Sequence, residues 1–236
     1  MAIHQSGELF EEQAPRPLAD RLRPGSLGEV LGQDHVLSQD GPIGRMISNH
    51  RMSSMILWGP PGSGKTTIAR LLALETNLHF TPLSAVFSGV GDLRNVFNEA
   101  RGRRAGGMGT LLFVDEVHRF NRAQQDSFLP YVEDGTIILV GATTENPSFE
   151  LNAALLSRCQ VFVLNRLGDT DIEQLLHRAE DMTGEALPLD GEARAALRAM
   201  ADGDGRYVLN LAEELLAGDQ DTILDTAALM HAVQQR

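Results

Sequence analysis

The sequence predicts an α/β fold: a five-stranded parallel sheet covered by helices on both faces, followed by a small all-helical domain. Three observations carry this expectation. Apolar runs of strand length alternate with helical stretches from Ser53 to about Leu164. A glycine-rich loop over 59–66 separates the first run from its helix. Beyond Gly168 the apolar period becomes 3.6 and strand-like runs cease.

Residues 1–17 are polar, with Pro15 and Pro17, and are expected to form a mobile lead-in. Between Leu18 and Arg51 the apolar spacing is short and broken by Pro24, Gly25, Gly32, Gly41 and Pro42, which predicts short helices beside the core. Strands are expected at 55–58, 79–83, 110–114, 136–141 and 161–164. Helices are expected at 67–73, from about 92 to 103, from about 123 to 133, and near 152–156. The Gly/Arg-rich stretch 101–109 reads as a loop. Amphipathic helices follow at 170–182, 191–200, 207–217 and 226–233, with Asp190 as N-cap of the second. The expected division is a lead-in over 1–17, a nucleotide-binding domain over 18–167 and a helical lid over 168–236. The chain stops inside or just after its last helix, which reads as truncation.

At 236 residues, 42% hydrophobic and 22% charged, the chain has the balance of a globular protein with a sizeable core. No run approaches 18 apolar residues, and the N-terminus lacks the layout of a signal peptide, so a cytoplasmic protein without a membrane partner is expected. The single Cys159 excludes an internal disulfide or a Cys-rich metal site. Net charge is −12, which argues against nucleic-acid binding through bulk positive charge. The acidity is uneven. Residues 1–165 hold 14 basic and 17 acidic side chains, residues 166–236 hold 6 and 15. A local basic face on the first part stays open, with Arg101, Arg103, Arg104, Arg119 and Arg122 as candidates for phosphate contacts.

Lys65 is the single lysine among 20 basic residues. It stands in Gly59-Pro60-Pro61-Gly62-Ser63-Gly64-Lys65-Thr66, the Gly-x4-Gly-Lys-Thr spacing of a phosphate-binding loop. Glycines let successive backbone N–H groups turn toward an anion, and the following helix presents its positive end. Lys65 is a compact charge for the β- and γ-phosphates, and Thr66 offers its hydroxyl to Mg²⁺. The loop residues 59–66, with Thr67, are therefore the expected ATP contacts. Fifty residues on, the apolar run 111–114 ends in Asp115-Glu116. An acidic pair there also suits a helix cap. After a phosphate loop, Asp115 reads as a second Mg²⁺ ligand and Glu116 as the base that polarises the attacking water. His118 makes an Asp-Glu-Val-His string and reads as a supporting or surface residue. Thr143-Thr144 ends the next strand, where Thr144 faces the ligand crevice. Arg158, before the last strand, suits a guanidinium supplied to a neighbouring subunit, and Arg206, opening a late helix, suits a return over the nucleotide.

Together these residues resemble the AAA+ ATPases, with Walker A at 59–66, Walker B at 111–116, sensor 1 at Thr144, an arginine finger at Arg158 and sensor 2 at Arg206. The strings Pro17-Leu18-Ala19-Asp20-Arg21-Leu22-Arg23-Pro24, Val30-Leu31-Gly32-Gln33, Phe113-Val114-Asp115-Glu116-Val117-His118-Arg119-Phe120-Asn121 and Gly141-Ala142-Thr143-Thr144-Glu145-Asn146-Pro147-Ser148-Phe149 are more specific. They are similar to the RarA (MgsA) family of replication-associated recombination proteins, relatives of clamp loaders, over about residues 17–216. The resemblance implies a three-layer P-loop sandwich with a helical lid. It also implies Mg-ATP hydrolysis stimulated by DNA, action at stalled forks and single-strand/double-strand junctions, a single-stranded-DNA-binding protein as partner, and a nucleoid-associated homo-oligomer. Two departures stand out. Arg206 is followed by Tyr207 where the family often pairs arginines, and the family's C-terminal oligomerisation domain is expected to be absent here. A clamp-loader subunit, a Holliday-junction motor subunit and a nucleotide-gated binding module are the alternatives.

Overall fold

The computed structural model describes residues 16–218 and 222–234. The lead-in expected over 1–17 lies almost wholly outside them. The described residues form two compact units that interleave along the chain. One comprises Pro24–Asp171 with Asp202–Gly205; the other comprises the described residues up to Arg23, Ile172–Ala201 and the described residues from Arg206 onward. The loop Asp202–Gly205 joins the first unit through Leu167 N–H donating to Gly203 O (3.2 Å) and Arg166 donating to Asp202 O (3.0 Å).

The first unit holds five strands: β1 (Met55–Trp58), β2 (His79–Ser84), β3 (Thr110–Asp115), β4 (Ile137–Thr143) and β5 (Gln160–Val163). All pair in parallel, in the order β2-β3-β4-β1-β5. Because side chains alternate across a strand, the apolar runs feed two cores. Met55, Leu57, Leu111, Phe113, Val140, Ala142 and Phe162 face one side, where Ile68, Leu71 and Leu72 of helix Lys65–Glu75 complete the layer. Ile56, Leu112, Val114, Ile137 and Leu139 face the other, against Leu93, Phe97 and Ala100 of helix Val90–Ala105 and against Phe120, Phe128, Leu151 and Leu155. Fully burying one such side chain is worth about 1.5–3 kcal/mol, so continuous apolar strands are what a sheet covered on both faces needs.

The expected five-stranded parallel sheet with helical layers is the observed one, and the element bounds differ in instructive ways. Arg101, Arg103 and Arg104 lie in helix Val90–Ala105, not in a loop. Arg103 pairs with Glu99 one turn back at 2.8 Å, and the Arg101 guanidinium stands 4.7 Å from the centre of the Tyr131 ring. The helix gives way only at Gly106-Gly107, where Gly107 takes φ +83°. The single helix expected over 123–133 is two, Arg122–Asp126 and Leu129–Glu133. Pro130 explains the break, since it has no N–H to carry one helix through. Strand β4 runs on to Thr143, which pairs with Trp58.

The second unit is helical: Leu18–Arg21, the greater part of Asp169–Thr183, Gly191–Ala201, nearly all of Gly205–Ala217, and Thr226–Gln234. Asp190 caps its helix as expected, accepting from Ala193 N–H at 2.7 Å. Glu213 ties in the first helix by accepting from Leu18 N–H at 2.9 Å. Charge also cross-links this unit. Arg194 grips Glu180 with two nitrogens, at 2.7 and 3.0 Å, and donates to Glu173 at 2.7 Å, while Arg198 holds the other oxygen of Glu173. The Arg194 bonds hold the Glu180 carboxyl below its ordinary range. Burial pushes Glu173 upward, but its bonds to Arg194 and Arg198 outweigh that and hold it low as well. Both carboxylates therefore stabilise the fold above the unfolded glutamate pKa of about 4.3, and that contribution is lost as pH falls through the lower folded values. Arg194→Met is expected to cost about 2 kcal/mol at pH 7. Thermal melts between pH 7 and pH 3 should be flatter with pH in the variant than in the wild type.

Candidate nucleotide site

The strand order brings the glycine-rich loop, Asp115-Glu116 and Thr143-Thr144 to one edge. β1 sits at the centre of the change in chain direction, beside β4 and β5, and loops at the carboxyl ends of strands line the crevice there. The glycine-rich loop leaves β1, Thr143 ends β4, and Asp115 ends β3 two strands away, about 10 Å at ordinary strand spacing. The backbone joins the first two directly: Gly59 N–H donates to Thr143 O at 3.1 Å.

The loop is a formed cradle. Gly62 takes φ +67° and Gly64 φ +94°, a region that L side chains rarely enter. A Cβ on Gly62 would overlap the Asp204 carboxylate, and one on Gly59 would come within 2.6 Å of Leu164 O. Ser63 turns its hydroxyl inward to Pro60 O at 2.8 Å. Helix Lys65–Glu75 starts directly after Gly64, which leaves its first N–H groups for an anion. Lys65 Nζ donates to Gly59 O at 2.8 Å and Pro60 O at 2.7 Å, so its charge is held at the loop by the loop's own carbonyls. Thr66 and Thr67 occupy the first turn, half-buried. These residues fit a polyphosphate. Among the described residues no group of three or more His, Cys, Asp or Glu side chains comes together. A Mg²⁺ at this edge would depend on Thr66, Asp115 and phosphate oxygens, which is the ordinary way Mg²⁺ is held beside nucleotides.

Two further residues belong to this edge: Gln33, which sequence reasoning does not assign to it, and His118, which it reads as supporting or surface. Gln33 is fully buried; its amide nitrogen donates to Ser63 O (3.4 Å) and Asn165 O (2.9 Å), and its oxygen accepts from Asn165 N–H (3.0 Å). It thereby fixes the loop to the exit of β5. His118 lies 8% exposed, with Nδ1 2.9 Å from Thr143 Oγ1 and 3.3 Å from Glu116 Oε2. Thr143, not Thr144, makes this contact, and Thr144 follows just beyond β4, half-buried. Glu116 itself stands in left-handed backbone, φ 52°, ψ 45°.

Arg158 is at the other end of the sheet. It precedes Gln160, the partner of Met55 at the start of β1, whereas the loop follows Trp58 at its end. At about 3.3 Å per strand residue this separates Arg158 from its own loop by roughly 17–20 Å, beyond the reach of one side chain. Its guanidinium donates to Glu133, to Ala154 O at 2.7 Å and to Ser157 Oγ at 3.0 Å. Arg206 is in the first turn of helix Gly205–Ala217, in the helical unit. Burial pushes the Cys159 thiol up to about 12, the behaviour of a packed, unreactive side chain.

The five arginines considered for phosphate contacts do not form one cluster. Arg104 bonds Thr136 Oγ1 at 3.1 Å, which places the 101–104 group where β4 begins, with Arg103 and Arg104 engaged in structural bonds. Arg119 and Arg122 follow β3 at the opposite edge; both are exposed, and their side chains make no hydrogen bond or ion pair among the described residues.

Residues 55–167 match the family described as "ATPase family associated with various cellular activities (AAA)". The chain is 50% identical over 209 residues to the Replication-associated recombination protein A of Escherichia coli K12, covering 86% of this chain and 47% of that protein. It is 41% identical over 216 residues to ATPase WRNIP1 of Dictyostelium discoideum, covering 90% of this chain and 25% of that protein. Among solved structures, the Thermotoga maritima RuvB Holliday junction branch migration motor superposes with a TM-score of 0.72 at 25% identity, over 91% of this chain and 72% of that one. The chain spans about half the length of the bacterial relatives it matches, 47% of the Escherichia coli protein. An AAA domain is thus found over residues 55–167, and the curated relatives at 40–50% identity include proteins named Replication-associated recombination protein A.

Proposed function

We propose that this chain is the ATPase part of a homo-oligomeric protein that hydrolyses Mg-ATP in replication-associated recombination. In this reading it works on single-strand/double-strand DNA junctions at stalled forks, in the cytoplasm with the nucleoid and beside a single-stranded-DNA-binding protein. The observation that carries the reading is the convergence of the 59–66 cradle, Asp115-Glu116 and Thr143-Thr144 on one sheet edge. Residues 59–67 hold the phosphates, Thr66 and Asp115 hold Mg²⁺, and the metal supplies charge neutralisation there. Glu116 takes the proton from the attacking water, and Thr144 orients that water or the γ-phosphate. Arg158 serves a neighbouring subunit, a role supported by its distance from its own loop. Arg206, which opens its helix in the helical unit, takes the sensor 2 role. The likeness to a branch migration motor favours a second reading, a Holliday-junction motor subunit with the same ATPase core.

The ATPase rate with and without forked DNA tests the motor reading. Stimulation by forks supports it, stimulation by four-way junctions alone supports the second reading, and a rate blind to all DNA contradicts both. For DNA contact, Arg119 and Arg122 are the best candidates, because they are exposed and uncommitted. Exposed Phe87 and Phe149 follow β2 and β4 at the same edge and suit stacking on unpaired bases. Arg119→Gln with Arg122→Gln should weaken DNA binding alike for all sequences and flatten its salt dependence by about one unit of slope per lost contact. ATP affinity should not change. An unchanged slope in an anisotropy titration returns both arginines to solvent.

A further inference from the structure

His118 has no part in the reaction as assigned above, yet it joins Glu116 to the end of β4. Thr143 is fully buried; its Oγ1 accepts from Glu145 N–H at 3.0 Å and stands 3.3 Å from Glu145 O, which can accept the hydroxyl proton. The same oxygen stands 2.9 Å from His118 Nδ1. The same nitrogen faces the Glu116 carboxylate at 3.3 Å. An ionised carboxylate offers only acceptors, so Glu116 favours the tautomer with the proton on Nδ1, and the Thr143 hydroxyl then donates to Glu145 O. In that tautomer Nδ1–H donates to Thr143 Oγ1 and stands 3.3 Å from the Glu116 carboxylate. Thr143 is in turn tied to the phosphate loop, because its carbonyl accepts from Gly59 N–H at 3.1 Å. Glu116 needs such a hold. Its left-handed backbone costs an L residue about 1–2 kcal/mol, and such conformations persist where the surroundings over-determine them.

We propose that His118 is a positioning residue for ATP hydrolysis: its Nδ1–H anchors the Glu116 carboxylate to Thr143 and, through it, to the phosphate loop. The proposal rests on Glu116 being the base. It makes the donor at Nδ1, not the imidazole as such, the required feature. An Asn side chain sets its amide nitrogen where Nδ1 stands, whereas Gln sets its own one bond farther out, near Nε2.

In the assembled protein, His118→Ala and His118→Gln are expected to lower kcat by roughly 10–100-fold, the usual scale for a supporting hydrogen bond, with KM and nucleotide Kd unchanged. His118→Asn should keep the rate within a few-fold of wild type. Independently of turnover, 15N spectra of the wild-type protein should show His118 protonated at Nδ1, and Thr143→Val should shift that resonance. A bare Nδ1, an Asn variant as slow as the Ala variant, or an Ala variant at full rate overturns the proposal. If Glu116→Gln hydrolyses ATP normally, the base assignment beneath it fails. If Glu116→Gln is inactive while His118→Ala runs at full rate, the role of His118 alone fails.

Discussion

Glu116→Gln should bind ATP with wild-type affinity and turn it over about 10²–10⁴-fold more slowly, the range a positioned general base contributes. The amide keeps the volume and a hydrogen-bond acceptor for His118, but it cannot take a proton from water. The companion change, Lys65→Ala, should act one step earlier and abolish nucleotide binding. It deletes the chain's single lysine from a cradle whose carbonyls already hold the ammonium at 2.7–2.8 Å. The pair separates the two roles: one variant traps ATP, the other never receives it. Equilibrium binding of a fluorescent ATP analogue beside single-turnover hydrolysis reads both. Wild-type turnover by Glu116→Gln would remove the base from the mechanism.

Arg158→Ala carries the second large effect, a loss of about 10³–10⁵ in turnover with ATP binding almost unchanged. Register places Arg158 at the start of β5, beside the beginning of β1, and the phosphates belong at the other end. A residue that distant from its own loop can serve catalysis only through another subunit. Within the chain its donors rest on Glu133, Ala154 O and Ser157, bonds that have to open before the guanidinium meets a phosphate. An exposed pair of this kind is worth at most about 1 kcal/mol, so assembly overcomes it readily. Arg158→Ala should therefore leave melting temperature nearly unchanged while stopping hydrolysis.

What was legible in the sequence was local. The cradle shows because its chemistry is compressed into eight consecutive residues, and the strands show because a sheet covered on both faces needs unbroken apolar runs such as 111–114. The errors came from interactions that local pattern does not carry. The Arg101–Arg104 stretch reads as a loop through its glycines, but the Glu99–Arg103 pair and the Arg101–Tyr131 contact accompany helix through Ala105. The same arginines stand beside Arg119 and Arg122 as candidates for one basic face because strand direction, which sends them to opposite edges, is not written in spacing. Gln33 bonds Asn165, 132 residues away, and nothing in a glutamine after a glycine announces that. His118 and Thr143 meet only once β4 lies beside β3 and continues to Thr143, two residues past its expected end. Asp115 and Glu116 were legible because their position at a strand tip follows from the strand alone.

Mixing Arg158→Ala chains with Glu116→Gln chains tests the shared site most directly. Each variant alone lacks one half of every site. In a mixed oligomer, an Arg158→Ala chain keeps its own cradle and Glu116, and a Glu116→Gln neighbour still supplies Arg158. Hydrolysis should return in proportion to the number of such junctions, with neither parent active. Complete absence of rescue, in oligomers verified to contain both chains, would contradict a site built from two subunits.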